Sequence, residues 1–167
     1  MNPSLMRRID LHEAADSRLG MGVIQVILNP TAGGGRLLGQ RPELESAARS
    51  LGVDLQWWVT DHKGHAEQLA ARSADEGHPL AMAWGGDGTY NEVARGLLGR
   101  ATALGVLPGG TTSVLAYEFD IPRPAARALE ALVRGRDRTM RVGRTDRGDL
   151  VVLMLSSGPD AVIVRDA

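Results

Sequence analysis

The sequence predicts an α/β fold, a mainly parallel sheet with helices on both faces. Three observations carry this reading. Short apolar runs rich in strand-formers alternate with segments of helical period, and strands alternating with helices pair in parallel. Glycines gather where those strands hand over to helices, the end of such sheets where ligands bind. The chain has 167 residues, 43% of them hydrophobic, enough for one domain with a proper core.

The elements follow in order. Residues 1–22 lack the apolar centre of a signal peptide. They read as a leader, ragged or a short helix, before a fold that starts near Val23. VIQVILN (23–29) is a buried strand. GRLLGQRPELESAARSLG (35–52) carries Leu37, Leu38, Leu44, Ala47, Ala48 and Leu51 at broadly helical spacing, with Pro42 expected to break or restart the helix. VDLQWWVT (53–60) is a second strand, and GHAEQLAARSADEG (64–77) a helix closed by Gly77. PLAMAWGG (79–86) is a third strand, followed by a helix in TYNEVARGLLG (89–99) that ends at Gly99. ALGVLPGG (103–110) is a fourth strand. TTSVLAYEF (111–119) and PAARALEALVRG (124–135) are helices on either side of Ile121 and Pro122. RTMRVGR (138–144) and DLVVLMLSS (149–157) are strand-like.

Composition excludes several classes of function. There are no cysteines, so a disulfide framework, a thiolate metal site and a cysteine nucleophile are ruled out. The net charge of −1 argues against nucleic-acid binding through bulk charge. No apolar run approaches the span of a bilayer. The expected setting is cytoplasmic, with membrane contact peripheral at most.

Three loops carry the functional reading: NPTAGGGR (29–36), GGDGT (85–89) and PGGTTS (108–113). Each runs from a strand into a helix, and in a parallel sheet all three lie on one edge. Glycine lets main-chain N–H groups approach an anion, and a helix N-terminus adds partial positive charge. Glycines after strands also serve simply as turns; three such loops on one edge favour a phosphate site. Neither the P-loop nor the G-x-G-x-x-G fingerprint is present. Lys63, the only lysine, sits in DHKGH outside any P-loop frame. Phosphates would then be held by main-chain amides, hydroxyls and Arg36, unless Arg36 is only a solvated first-turn residue.

Thr89 and Glu92 have the spacing of a capping box, which makes Thr89 the expected N-cap. Asn91 and Glu92 face either a nucleotide ribose or solvent. Asp87, between Gly86 and Gly88, is either a turn-former or a functional acid. Beside a triphosphate, a carboxylate is favourable when it binds Mg²⁺, directly or through water, or takes a proton from an attacking hydroxyl.

GGDGTYNEV, with NPTAGGGR before it and PGGTTSVLAYEFDIP after it, resembles the catalytic domain of the diacylglycerol, sphingosine and ceramide kinase superfamily, and the bacterial lipid kinases most. TDHKGHA matches a further family segment at Thr60, Gly64, His65 and Ala66. The GGDG core is shared with NAD kinases and 6-phosphofructokinases. The resemblance implies the nucleotide-binding fold of the NAD kinase and diacylglycerol kinase type. It also implies transfer of the ATP γ-phosphoryl to a lipid hydroxyl at a membrane surface, with Mg²⁺. By motif, Asn29, Gly33, Gly34 and Thr60 would line the nucleotide. Gly85, Gly86, Gly88 and Thr89 would hold its phosphates, with Asn91 and Glu92 adjacent. Gly110 and Thr111 would close the site, and Asp87 would be the essential acid, as base or through Mg²⁺. His65 is equally a helix-start residue or a ligand.

The sequence departs from the family at Ser113, where Asn is frequent, and at Arg141, where Asp is usual. Residues 23–150 correspond to the kinase domain and 151–167 to the start of a second, largely β domain, where GPDA places Asp160 near an acceptor site. Two alternatives stay open: a kinase of a soluble substrate, NAD kinase-like, and a nucleotide-binding module incomplete for catalysis. The apolar C-terminal strands are expected to pair in a homodimer or to lack order after about Ser157.

Overall fold

The computed structural model describes residues 6–8, 22–138, 140–145 and 150–152. In chain order the elements are β1 (Met6–Arg8), β2 (Val23–Leu28), α1 (Leu37–Ser50), β3 (Asp54–Val59), α2 (His65–Asp75), β4 (Leu80–Gly85), α3 (Asp87–Leu97), β5 (Ala103–Pro108), α4 (Val114–Glu118), α5 (Ala125–Arg134), β6 (Arg141–Arg144) and β7 (Leu150–Val151). A four-stranded sheet has the order β3-β2-β4-β5, and each adjacent pair is parallel. β1, β6 and β7 form a small antiparallel sheet, with Arg7 opposite Val142.

Side-chain alternation along the central strands divides the core into two layers. Ile24, Val26 and Leu28 join Leu80, Met82 and Trp84 on one face, where they meet Leu37, Leu44 and Ala48 of α1 and Ala128, Leu129 and Val133 of α5. On the other face, Ile27, Ala81, Ala83 and Val106 pack against α2, α3 and α4 through Ala66, Ala70, Tyr90, Val93, Leu97 and Leu115. A strand covered on both faces has no polar side, which is why all six residues of β4 are buried. Burying each large apolar side chain contributes roughly 1.5–3 kcal/mol. Gln25 is the polar exception within β2. It is fully buried, and its Nε2 lies 3.1 Å from Gln56 Oε1 and 2.8 Å from His78 Nε2.

Helix placement creates the functional edge. β2 leads into α1 on one face, and the neighbouring β4 leads into α3 on the other. The chain therefore diverges above the ends of two adjacent strands, the switch point where such sheets leave a crevice. The Asn29 N–H donates to the Trp84 carbonyl at 3.0 Å and holds those two strand ends together.

Three local expectations are corrected. Pro42 neither breaks nor restarts α1, which runs unbroken through it. It is the sixth helical residue, so the missing N–H removes one bond near the first turns, where the ladder is only starting. The described part of the leader, Met6–Arg8, is a strand rather than a helix, paired with β6. The third helix begins at Asp87 with Gly86 as its N-cap, not at Thr89. The Tyr90 N–H already bonds the Gly86 carbonyl at 3.1 Å, so the hydroxyl of Thr89 lies too far along the helix to cap it. Leu150 and Val151, the described start of the C-terminal strands, pair within the chain with Arg144 and Gly143; Asp160, the chain after Ser157 and the side chain of Arg141 lie outside the described residues.

Candidate functional site

The three glycine loops meet at the carboxyl edge of the parallel sheet. The Gly109 N–H donates to the Gly85 carbonyl at 2.9 Å, joining the second and third loops. A Cβ on Gly110 would lie 2.7 Å from the Gly86 Cα, so these two main chains touch with no room for a side chain. The first loop closes on the third in the same way: a Cβ on Gly33 would lie 2.3 Å from the Gly109 carbonyl oxygen. Gly33 and Gly34 are left-handed, at φ 61° and 72°, in the tight turn that precedes α1. Successive main-chain groups turned this way can form a concavity that accepts an anion.

Among the described residues, two clefts lined by the first glycine loop open on this edge. One, of about 160 Å³, is lined by Gly33, Arg36, Gly110 and Arg123, among others. The other, of about 400 Å³, brings together Asn29, Thr60, Gly88, Thr89 and Glu92 with the 61–63 segment. Gly85 is buried and Gly86 half-buried between the loops, and Thr111 is exposed. Gly34 is exposed and lines neither cleft. Asn91 also lines neither, and its side-chain oxygen is buried without a hydrogen-bond partner among the described residues.

Asp87, the half-buried first residue of α3, lines neither cleft. Its Oδ1 accepts the Leu115 N–H at 3.4 Å. The acid thus has a structural partner that its sequence setting did not reveal. A carboxylate in the first turn of a helix is also favoured by the helix dipole.

Asn29 and Thr89 form a fixed polar pair. The Asn29 Nδ2 donates to Thr89 Oγ1 at 3.2 Å, while its Oδ1 accepts the Thr31 N–H at 3.0 Å and the Thr31 hydroxyl at 2.8 Å. Asn29 is thereby fixed by its own loop and by α3, and it shapes the wall of the larger cleft. Thr60 is buried at the end of β3, its N–H bonded to the Leu28 carbonyl at 2.9 Å.

Tyr90 and Arg123 position the site, and sequence reasoning missed both. Tyr90 is fully buried, and its hydroxyl donates to the Gly85 carbonyl at 2.6 Å, with the Leu107 carbonyl 3.1 Å and Ser113 Oγ 3.3 Å away. One phenol therefore holds the ends of β4 and β5 and the start of α4. Burial pushes its ionisation above the usual range, outweighing the hydrogen bonds that act the other way. The only sequence cue was its place inside the GGDGTY run. Arg123 Nη2 donates to the carbonyls of Thr111 and Thr112 at 2.7 and 3.3 Å, which holds the third loop. Nothing local marks Arg123. Ser113 is left-handed at φ 49°, a region that Asn enters more readily.

His65 opens α2, and its Nδ1 lies 2.5 Å from Asp61 Oδ1. His62 Nδ1 approaches the same oxygen at 2.5 Å. Partial desolvation alone would raise the Asp61 carboxyl, but hydrogen bonds from the two imidazoles hold it below its usual range. Among the described residues no helix is long and apolar enough to cross a membrane.

Residues 23–145 match the family described as the diacylglycerol kinase catalytic domain. The chain is 34% identical to the "Probable lipid kinase YegS-like" of Klebsiella pneumoniae over 122 residues, 70% of this chain and 41% of that protein. It is 29% identical to a diacylglycerol kinase of Staphylococcus aureus, covering 72% of this chain and 39% of the relative. A crystal structure of a diacylglycerol kinase from Bacillus anthracis superposes with a TM-score of 0.59 at 27% identity, covering 67% of this chain and 41% of that one. The chain thus spans about two fifths of the length of the curated relatives it matches.

Proposed function

The chain belongs to the diacylglycerol kinase catalytic domain family, and from that premise we propose that it binds ATP with Mg²⁺ and transfers the γ-phosphoryl group to a lipid hydroxyl. In this reading residues 23–150 are the kinase domain and 151–167 begin a second, largely β domain. One observation carries the proposal: three glycine-built turns pack main chain to main chain at a single sheet edge, around the first turn of α3. Glycine main chain lines that edge, a setting that suits the oxygens of a polyphosphate.

The chain's own residues then divide the work. The left-handed turn at Gly33 and Gly34 and the strand end at Gly85, Gly86 and Gly88 present main-chain amides to phosphate oxygens. Thr89, oriented by Asn29, offers its hydroxyl, and Thr60 walls the cleft. Arg36 lends positive charge from the rim of the smaller cleft, which Gly110 also lines, and Thr111 would close the third side. Asn91 and Glu92 support the first turns of α3, where Glu92 lines the larger cleft. Asp87 fits a metal or proton role because its one hydrogen bond among the described residues is long, leaving the carboxylate available. Mg²⁺, when bound, neutralises phosphate charge. Asp87 would hold it, directly or through water, or take the acceptor hydroxyl's proton.

Labelled ATP offered with a panel of lipid and soluble alcohols to a longer form of the protein tests the reading. Transfer to a diacylglycerol- or sphingosine-like lipid is expected, and transfer to soluble acceptors alone would favour the NAD kinase-like alternative. Because the chain spans about two fifths of its relatives, a second reading applies to these 167 residues: nucleotide binding without turnover. Calorimetry with ATP beside a transfer assay on the same sample separates the two.

A further inference from the structure

Beside the phosphate edge lies a cluster that the kinase reading does not use. Asp61 Oδ1 is 2.5 Å from the Nδ1 of His62 and 2.5 Å from the Nδ1 of His65. Single ligand atoms from the three residues all lie within 4.8 Å of one another. We propose that Asp61, His62 and His65 bind a divalent transition-metal ion of the zinc class at the mouth of the larger cleft, apart from any Mg²⁺ held at Asp87.

The local chain builds this convergence. Gly64 turns left-handed at φ 87°, and the His65 N–H bonds the His62 carbonyl at 3.2 Å. This tight turn lays the two imidazole rings face to face, 4.8 Å between centroids and 9° from parallel. The Asp61 main-chain N–H also points at His65 Nδ1, 3.3 Å away. Both imidazoles thus turn Nδ1 toward the same carboxylate oxygen, and one metal ion there would be shared by all three side chains.

The donor set selects the ion. Two imidazoles and one carboxylate suit zinc, cobalt or nickel, whereas magnesium and calcium prefer oxygen alone. Three protein ligands leave positions open to water or to an anion in the cleft, which Thr31, Thr60, Lys63 and Glu92 also line. The side chain of Asp61 is 72% exposed and that of His62 56%, so the ion has an open route. Lys63 works against binding and Glu92 for it.

The test uses the full chain without an affinity tag, free of nucleotide, so its outcome does not depend on the kinase reading. Zn²⁺ is titrated calorimetrically, and Co²⁺ is followed by its visible absorption. One equivalent of each metal is expected. His62→Ala, His65→Ala and Asp61→Asn should each weaken affinity by about tenfold or more. The melting temperature of the metal-free His62→Ala variant should stay at the parent value, since that ring is largely exposed. The other two histidines serve as the control: His78 bonds Gln25 and Glu76, and His12 lies outside the described residues. A His12→Ala, His78→Ala double variant should keep parent affinity. The proposal is overturned by unchanged affinity in His62→Ala, by loss of binding in the double variant, or by no binding up to about 100 µM metal.

Discussion

The Asp87 carboxylate accepts the Leu115 main-chain N–H at 3.4 Å, joining the first residue of α3 to the start of α4. An acid between two glycines thus sits near the amide-rich ends of two helices. Its local setting explains how a carboxylate is tolerated there. It does not explain why an acid, rather than a neutral amide, occupies the position. An Asn oxygen could accept the same hydrogen bond.

That distinction makes Asp87→Asn informative. The substitution keeps an acceptor for Leu115, so stability should change by less than about 1 kcal/mol. Phosphoryl transfer by a longer form should fall by about a hundredfold to ten-thousandfold, because Asn neither takes a proton nor holds a metal well. Denaturant unfolding and a labelled-ATP assay on one preparation read both numbers. Parent-like turnover would remove Asp87 from the chemistry.

Gly33 and Gly34 offer a matched pair. Both are left-handed, so an alanine at either should cost about 1–2 kcal/mol of backbone strain. Only at Gly33 would the new Cβ strike main chain, 2.3 Å from the Gly109 oxygen, while nothing lies within 4 Å at Gly34. Gly33→Ala should therefore be less stable than Gly34→Ala by a further 1–3 kcal/mol or so, and should weaken nucleotide binding more. Urea midpoints and ATP calorimetry on the two variants check this. Equal losses would mean that the first and third loops are not packed as described.

Tyr90→Phe removes a hydroxyl and little else. The Gly85 carbonyl keeps the Gly109 N–H, so the expected loss is about 1–2 kcal/mol near neutral pH. The pH dependence identifies the cause. Burial raises the folded-state ionisation of Tyr90 above its usual value of 10.0. That contribution is fully present below pH 10.0 and is lost as pH climbs through the higher folded value. The parent should therefore fall toward the variant above about pH 10, measured as converging urea midpoints. A constant gap would show that the hydroxyl is not buried.

The architecture was legible because strand–helix alternation determines which strand ends share an edge. Once VIQVILN, PLAMAWGG and ALGVLPGG read as parallel strands, their glycine loops had to converge. Local patterns were poorer guides where distant contacts intervene. Thr89 and Glu92 match a capping box, yet the helix starts two residues earlier and the Thr89 hydroxyl is engaged by Asn29, 60 residues away. Pro42 looked like a breaker because its distance from the true start of α1 could not be judged. Arg123 was invisible as a site residue, since its role depends on carbonyls 11 and 12 residues back in a loop that folds over it. Asp61, His62 and His65 were not legible as a group, because only the turn at Gly64 brings the two imidazole nitrogens to one carboxylate oxygen.

Gly96 tests whether tertiary contact outranks helix propensity in this chain. It lies inside α3, where alanine is worth about 1 kcal/mol more than glycine in an isolated helix. Propensity alone predicts that Gly96→Ala stabilises the protein. In the folded chain, however, a Cβ there would lie 2.3 Å from the Glu67 carbonyl oxygen and 2.8 Å from the Ala70 Cβ, both on α2. Neither atom is the end of a flexible side chain, so α2 and α3 must move apart. That movement opens the layer built from Ala66, Ala70 and Val93 and costs about 1–3 kcal/mol. The steric loss exceeds the propensity gain, so Gly96→Ala should lower the urea midpoint, and Gly96→Val should lower it further. The strain also carries toward the site, because α3 begins at Asp87 and α2 at His65. Weaker ATP binding should therefore accompany the lost stability, although Gly96 lines neither cleft at the phosphate edge. A stabilised Gly96→Ala protein would mean that the two helices are farther apart than described, and the wall of the larger cleft with them.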